Sequence, residues 1–123
     1  MSTDVFGHEL SADFTAQLHL LRDKYFDRLK EKEMELEDII ANVAAYGLDK
    51  PTLSGLYLIV HNIVGAAPTH GFHDVAGRAS EAEKVIQGYL RLRDLSNCDM
   101  DILFKLEDLT REIRVTLKTC PSV

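Results

Sequence analysis

Histidine is the side chain of this sequence with the widest chemistry, because imidazole acts as a nucleophile, a proton carrier or a metal ligand near neutral pH. His61 interrupts an apolar stretch, and Gly65 follows it four residues later. A glycine inside a helix costs about 1 kcal/mol relative to alanine, and at this spacing it removes bulk beside the imidazole. The pattern indicates that something approaches His61 closely. The alternative is an ordinary surface histidine beside a glycine that merely thins a helix contact.

Helical geometry places His61 outside the core stripe of its own helix. At about 100° per residue, one narrow face collects the apolar residues Leu56, Ile59, Val60, Ile63 and Ala67. His61 lies about 140° away from Leu56, with Tyr57 and Gly65 one turn to either side. The apolar residues around it are expected to form an exposed rim of the kind that docks a partner: Tyr57, Leu58, Val64 and Pro68.

The segment from His61 to Phe72 resembles the motif of the histidine-phosphotransfer (HPt) family. The matching positions are His61, Ile63, Gly65, Ala66, Ala67 and Gly71. The resemblance implies a phosphorelay intermediate in two-component signal transduction, with His61 as the phosphoacceptor and Gly65 giving the receiver clearance. Val64 stands where the family usually has a lysine near the phosphoryl group. Lys84 is the residue we expect to supply positive charge in its place.

Glu83 is the expected partner of the imidazole. In the chemotaxis-kinase branch of the family, a glutamate 22 residues after the histidine hydrogen-bonds the ring, and counting 22 from His61 gives Glu83. Two antiparallel helices joined near Thr69 to Gly71 would bring both residues within about one turn of each other in height. Such a carboxylate would orient the imidazole and stabilise positive charge on it. The alternative is a solvated glutamate.

The partners implied by the resemblance are response-regulator receiver domains and a histidine kinase. The receiver would supply the Mg²⁺, so the chain itself is expected to need no cofactor. The sequence contains neither a glycine-rich phosphate loop nor a Ser/His/Asp pattern. We therefore expect a phosphocarrier rather than an autonomous enzyme. The alternative function is a degenerate, HPt-like helical adapter or dimerisation module that binds partners without carrying phosphate.

Metal and thiol chemistry have little support in the sequence. His70 and His73 are three residues apart, but two ligands without a third at compatible spacing make a poor metal site. A di-iron bundle needs Glu-x-x-His pairs, which the sequence lacks. Cys98 and Cys120 are far apart and without CxxC spacing, which favours free thiols in a reducing compartment.

Size and charge exclude several classes of protein. The 123 residues correspond to one domain, taken here as a single HPt-like domain over 1–123. A net charge of −6 without a basic cluster disfavours binding to nucleic acid or to an anionic membrane surface. No apolar run approaches the roughly 20 residues of a membrane helix, and no secretory signal is apparent, so a cytoplasmic location is expected.

Apolar residues recur at helical spacing along the whole chain, which predicts an all-α protein. A helical segment is expected over about 11–46, with its first stripe at Phe14, Leu18, Leu21, Tyr25 and Leu29; the pattern leaves open whether it is one helix or two. The helix that carries the motif is expected over about 51–68, because Pro51 suits a first turn. Two further helices follow, around Val75 to Leu90 and Leu103 to Leu117. The predicted fold is an antiparallel four-helix bundle with an additional N-terminal helix.

Overall fold

The computed structural model of the chain describes residues 2–119, with side chains from Ala12 onward. This part of the chain contains four α-helices: α1 (Ser2–Tyr46), α2 (Lys50–Ala66), α3 (His73–Leu90) and α4 (Asp99–Thr119). A short 3₁₀ turn, Pro68–His70, lies between α2 and α3. No strand occurs within residues 2–119, so the prediction of an all-α helical bundle is confirmed. None of these helices is both long enough and apolar enough to cross a membrane.

The N-terminal segment is one continuous helix of 45 residues. It begins at Ser2 rather than near residue 11, and it runs through the charged stretch 27–38 without a break. No proline precedes Pro51, so nothing in the segment removes a backbone donor from the helix. The N-terminal helix is therefore the first helix of the bundle itself, extended in length, and not a fifth element.

The bundle is built from antiparallel neighbours. α1 packs mainly on α4, α2 on α3, and α3 on α4. At one end of the α1–α4 pair the N–H of Leu48 donates to Asp99 at 3.3 Å, and farther along Arg114 reaches Glu33 at 3.4 Å. The core is a single cluster to which every helix contributes, including the fully buried side chains Leu36, Leu56, Ile86 and Leu106. Burying each such side chain stabilises the fold by roughly 2 kcal/mol.

Only the second half of α1 belongs to the core. Leu29, Leu36 and Val43 are at most 1% exposed, whereas Phe14 and Leu21 are 57% and 50% exposed. At a rise of about 1.5 Å per residue α1 is about 68 Å long, and α4, with 21 residues, is about 32 Å. The predicted stripe Phe14 to Leu29 is therefore buried only from Tyr25 onward, because the other helices are too short to cover the rest.

Both ends of α2 are fixed, which sets the height of His61 against α3. At the first end the Asp49 side chain accepts a hydrogen bond from the N–H of Thr52 at 2.8 Å and caps the helix. The ammonium of Lys50 donates to the carbonyl of Leu90 at 2.8 Å, at the last turn of α3. At the other end the helix stops at Ala66 rather than near residue 68, and Gly71 closes the following turn with a φ of 85°. Glycine adopts this left-handed conformation without strain.

Candidate functional site

His61 lies in the second half of α2 on the face that points away from the core. Leu56, Val60 and Ile63 of the same helix are fully buried, while the His61 side chain is 61% exposed. The imidazole lines neither the groove between α1 and α4 nor the cavity beside Tyr25 and His70. It stands on an open surface, which suits a reaction with a group presented by another protein better than one with an enclosed small molecule.

Glu83 of α3 is hydrogen-bonded to this imidazole. Its Oε2 contacts Nδ1 of His61, and the carboxylate is largely covered, with 15% of the side chain exposed. An ionised carboxylate only accepts hydrogen bonds, so in this pair the proton belongs to Nδ1 and the lone pair of the neutral ring to Nε2. The packing of α2 against α3 thus converts a separation of 22 residues in sequence into a direct contact.

Tyr57 adds a second contact to the same ring. The two ring centroids are 5.3 Å apart, and the ring planes differ by only 13°, so the phenol and the imidazole are stacked. Helical spacing predicted that Tyr57 lies one turn from His61, with docking as its expected role. The i, i+4 spacing of two aromatic rings on a helix was the signal that could have revealed the stack.

Gly65 leaves open space one turn beyond His61. A Cβ built on it would meet no neighbouring atom within 4 Å, so packing within the chain does not explain the glycine. The same is true of Gly55, Gly77 and Gly88. Among these helical glycines Gly65 is the one that lies four residues after the imidazole. Clearance for an external partner is therefore consistent with its surroundings.

The predicted rim is only partly exposed. Leu58 is 68% exposed, and Pro68 is also exposed, whereas Tyr57 and Val64 are half-buried. Lys84 is exposed on α3, where it makes no ion pair with the side chains that the structure describes. Of the predicted site residues, the structure brings Tyr57 and Glu83 into direct contact with His61. It gives no hydrogen bond between Lys84 and the imidazole.

His70, His73 and Cys98 lie apart from His61. His70 stacks on Tyr25, with centroids 4.8 Å apart, and His73 is exposed at the start of α3. Among the described side chains no group of three or more His, Cys, Asp or Glu is arranged to hold a metal ion. Cys98 is free and buried, and burial together with nearby carboxylates raises the pKa of its thiol. Cys120 lies outside the described residues.

On the exposed face of the α2–α3 pair, the imidazole of His61 is thus hydrogen-bonded to Glu83 and stacked on the ring of Tyr57. Gly65 leaves space beside it. These groups suit a nucleophilic nitrogen that reacts with a partner protein. Comparison of the chain with protein-family models, with curated proteins and with solved structures finds no match.

Proposed function

We propose that the chain is a phosphocarrier of two-component signal transduction, with His61 as the residue that is phosphorylated. The observation that supports this most directly is the exposed imidazole whose Nδ1 is hydrogen-bonded to the largely covered Glu83. This arrangement leaves Nε2 as the nucleophile. An ordinary surface histidine has no function that requires a carboxylate to orient its ring, as Glu83 orients the ring of His61.

The proposed reaction is a phosphoryl transfer between Nε2 of His61 and an aspartate of a receiver domain. The lone pair of Nε2 attacks phosphorus, the bond from phosphorus to the aspartyl oxygen breaks, and the aspartate leaves as a carboxylate. The proton on Nδ1 stays in place, so the phosphorylated ring carries a positive charge that the carboxylate of Glu83 stabilises. The reverse reaction returns the group to a second receiver. The receiver contributes the Mg²⁺, and a histidine kinase is the other candidate donor.

The surface around His61 is proposed to dock the receiver. Leu58 and Pro68 supply exposed apolar contact, the half-buried Val64 extends it, and Gly65 admits the receiver's loops. Lys84 supplies a cation on the neighbouring helix, where it is not paired with another described side chain. In this proposal Lys84 attracts the acidic partner and takes the place of the lysine that Val64 replaces.

The test is incubation with phosphorylated receiver domains and active histidine kinases, followed by mass spectrometry that preserves acid-labile phosphate. We expect phosphate on His61 and none on His61→Ala. His73→Ala is the matched control, because His73 is also exposed but lies in the first turn of α3, beside a groove that Glu112 of α4 lines. Circular dichroism should be unchanged in both variants, since neither residue belongs to the core. Equal labelling of the wild type and His61→Ala would disprove the assignment.

The second candidate function is a helical adapter or dimerisation module that carries no phosphate. The observation that favours it is the exposed apolar stripe on the projecting half of α1, formed by Phe14, Leu18 and Leu21. This function predicts partner binding that is insensitive to His61→Ala and is lost in Leu18→Lys. Binding that disappears in His61→Ala but survives in Leu18→Lys would exclude it.

A further inference from the structure

We propose that Tyr57 is a positioning residue, which holds the imidazole of His61 in one orientation so that Nε2 points away from the bundle. This inference rests on the proposed phosphocarrier function and adds a role to the same site. It starts from the ring stack between Tyr57 and His61, whose centroids are 5.3 Å apart with nearly parallel planes.

An exposed imidazole on a helix is free to change both of its side-chain torsions, and one hydrogen bond does not remove that freedom. The bond to Glu83 fixes the place of Nδ1, but the ring can still pivot about that bond. The stack with Tyr57 fixes the plane of the ring. Glu83 belongs to α3 and Tyr57 to α2, so the two restraints come from different helices.

Tyr57 is itself anchored, which lets it act as a restraint. Its side chain is half-buried and packs against the core cluster, in contrast to its neighbour Leu58, which is 68% exposed. A ring held on one side by the core offers a fixed plane to the imidazole on the other side. Phosphorylation makes the imidazole positively charged, and the face of an aromatic ring attracts a cation. Tyr57 can therefore stack on the imidazole of His61 both before and after phosphorylation.

Orientation matters to the rate because phosphoryl transfer needs Nε2 in line with the breaking bond. Loss of an aromatic stack is expected to decrease the ratio of oriented to freely rotating imidazole rings by a factor of about three to ten. The expected effect of removing the ring of Tyr57 is a decrease in the phosphorylation rate by about that factor. A residue that acted only in docking would change the rate with a receiver and leave the rate with a small donor unchanged.

The test uses phosphoramidate, a small phosphodonor that needs no docking surface. We expect Tyr57→Leu to be phosphorylated about three- to tenfold more slowly than the wild type and Tyr57→Phe to restore the rate, because phenylalanine keeps the ring plane. Tyr46→Leu is the matched control, since it makes the same exchange at an exposed tyrosine at the end of α1, outside the proposed site. Tyr57→Met is a second variant without a ring, in case leucine disturbs the fold.

A measurement on the unphosphorylated protein separates this inference from the proposed function. Nitrogen-15 chemical shifts report which ring nitrogen of His61 carries the proton. We expect Nδ1–H to dominate in the wild type and in Tyr57→Phe, and its share to fall in Tyr57→Leu as the bond to Glu83 loosens. If the fraction of His61 that carries the proton on Nδ1 is unchanged in both Tyr57→Leu and Tyr57→Met, Tyr57 does not position the ring. This conclusion holds whether or not the chain is phosphorylated. If the nitrogen-15 shifts show Nδ1–H in the wild type as expected, but neither receivers nor kinases phosphorylate His61, the phosphocarrier proposal is contradicted instead.

Discussion

At the scale of single residues, the contact between His61 and Glu83 was anticipated by counting the 22 residues that the resemblance to the HPt family implied. The count works because antiparallel helices joined by a short turn keep a fixed register. The stack of Tyr57 on His61 was not anticipated, because helical spacing shows that two side chains are neighbours but does not fix their rotamers. The half-burial of Val64 was also missed, since its exposure depends on how close α3 comes to α2.

Replacing the charge of Glu83 tests the electrostatic part of the site. Glu83→Gln keeps an oxygen that accepts from Nδ1 but removes the negative charge opposite the phosphorylated ring. A hydrogen bond to a charged group is worth more than a neutral one, so we expect the rate of phosphoryl transfer to fall by about tenfold. Glu81→Gln is the control, because Glu81 is exposed on the same helix and pairs with Arg78 at 3.7 Å. Equal rates for Glu83→Gln and the wild type would show that the carboxylate plays no part in the transfer.

Tyr25 carries a buried hydroxyl that has no hydrogen-bond partner among the described residues. A buried polar group in this state lowers stability, so Tyr25→Phe should raise the free energy of unfolding by about 1 kcal/mol. The measurement is urea unfolding at neutral pH, with Tyr46→Phe as the control because Tyr46 is 85% exposed. A destabilised Tyr25→Phe would mean that the hydroxyl is satisfied in solution.

At the scale of the helices, periodicity predicted the approximate place of each helix apart from the start of α1, but not how much of α1 is covered. The stripe from Phe14 to Leu29 keeps the same spacing throughout, yet it is buried only from Tyr25. The missing information is the length of the partner: α4 has 21 residues and α1 has 45. Continuity of α1 was likewise open in the sequence, because a charged stretch is compatible with both a helix and a break.

A pair of leucine variants on this one stripe tests where the bundle begins. Leu29 is fully buried and Leu18 is 42% exposed. Leu29→Ala removes a core side chain and should lower the free energy of unfolding by about 2 to 4 kcal/mol, because it leaves a cavity. Leu18→Ala should change it by less than about 1 kcal/mol. The measurement is urea unfolding of both variants. Similar decreases in the free energy of unfolding would mean that the first half of α1 is covered in solution.

At the scale of the whole molecule, two tyrosines with raised pKa values lie at opposite ends of the bundle. Burial raises the pKa of Tyr25, beside the α2–α3 turn, to about 12. The pKa of Tyr89, near the end of α3, is raised to about 12, mainly by its hydrogen bond to Asp101 and further by desolvation. In an unfolded chain both would titrate near pH 10. Alkaline pH should therefore weaken both ends of the fold together.

The sign of this pH dependence follows from proton binding. Between about pH 10 and about pH 12 the unfolded chain releases protons that the folded chain keeps, so stability is fully present below pH 10 and declines as the pH rises through that window. The free energy of unfolding from urea titrations at about pH 8, 10 and 11 should fall more steeply in the wild type than in the double variant Tyr25→Phe, Tyr89→Phe. Lysine titration is common to both proteins, so the difference in slope isolates the two phenols. Parallel slopes would mean that both hydroxyls ionise in the folded bundle as readily as in the unfolded chain, which would contradict the burial of Tyr25 and the bond from Tyr89 to Asp101.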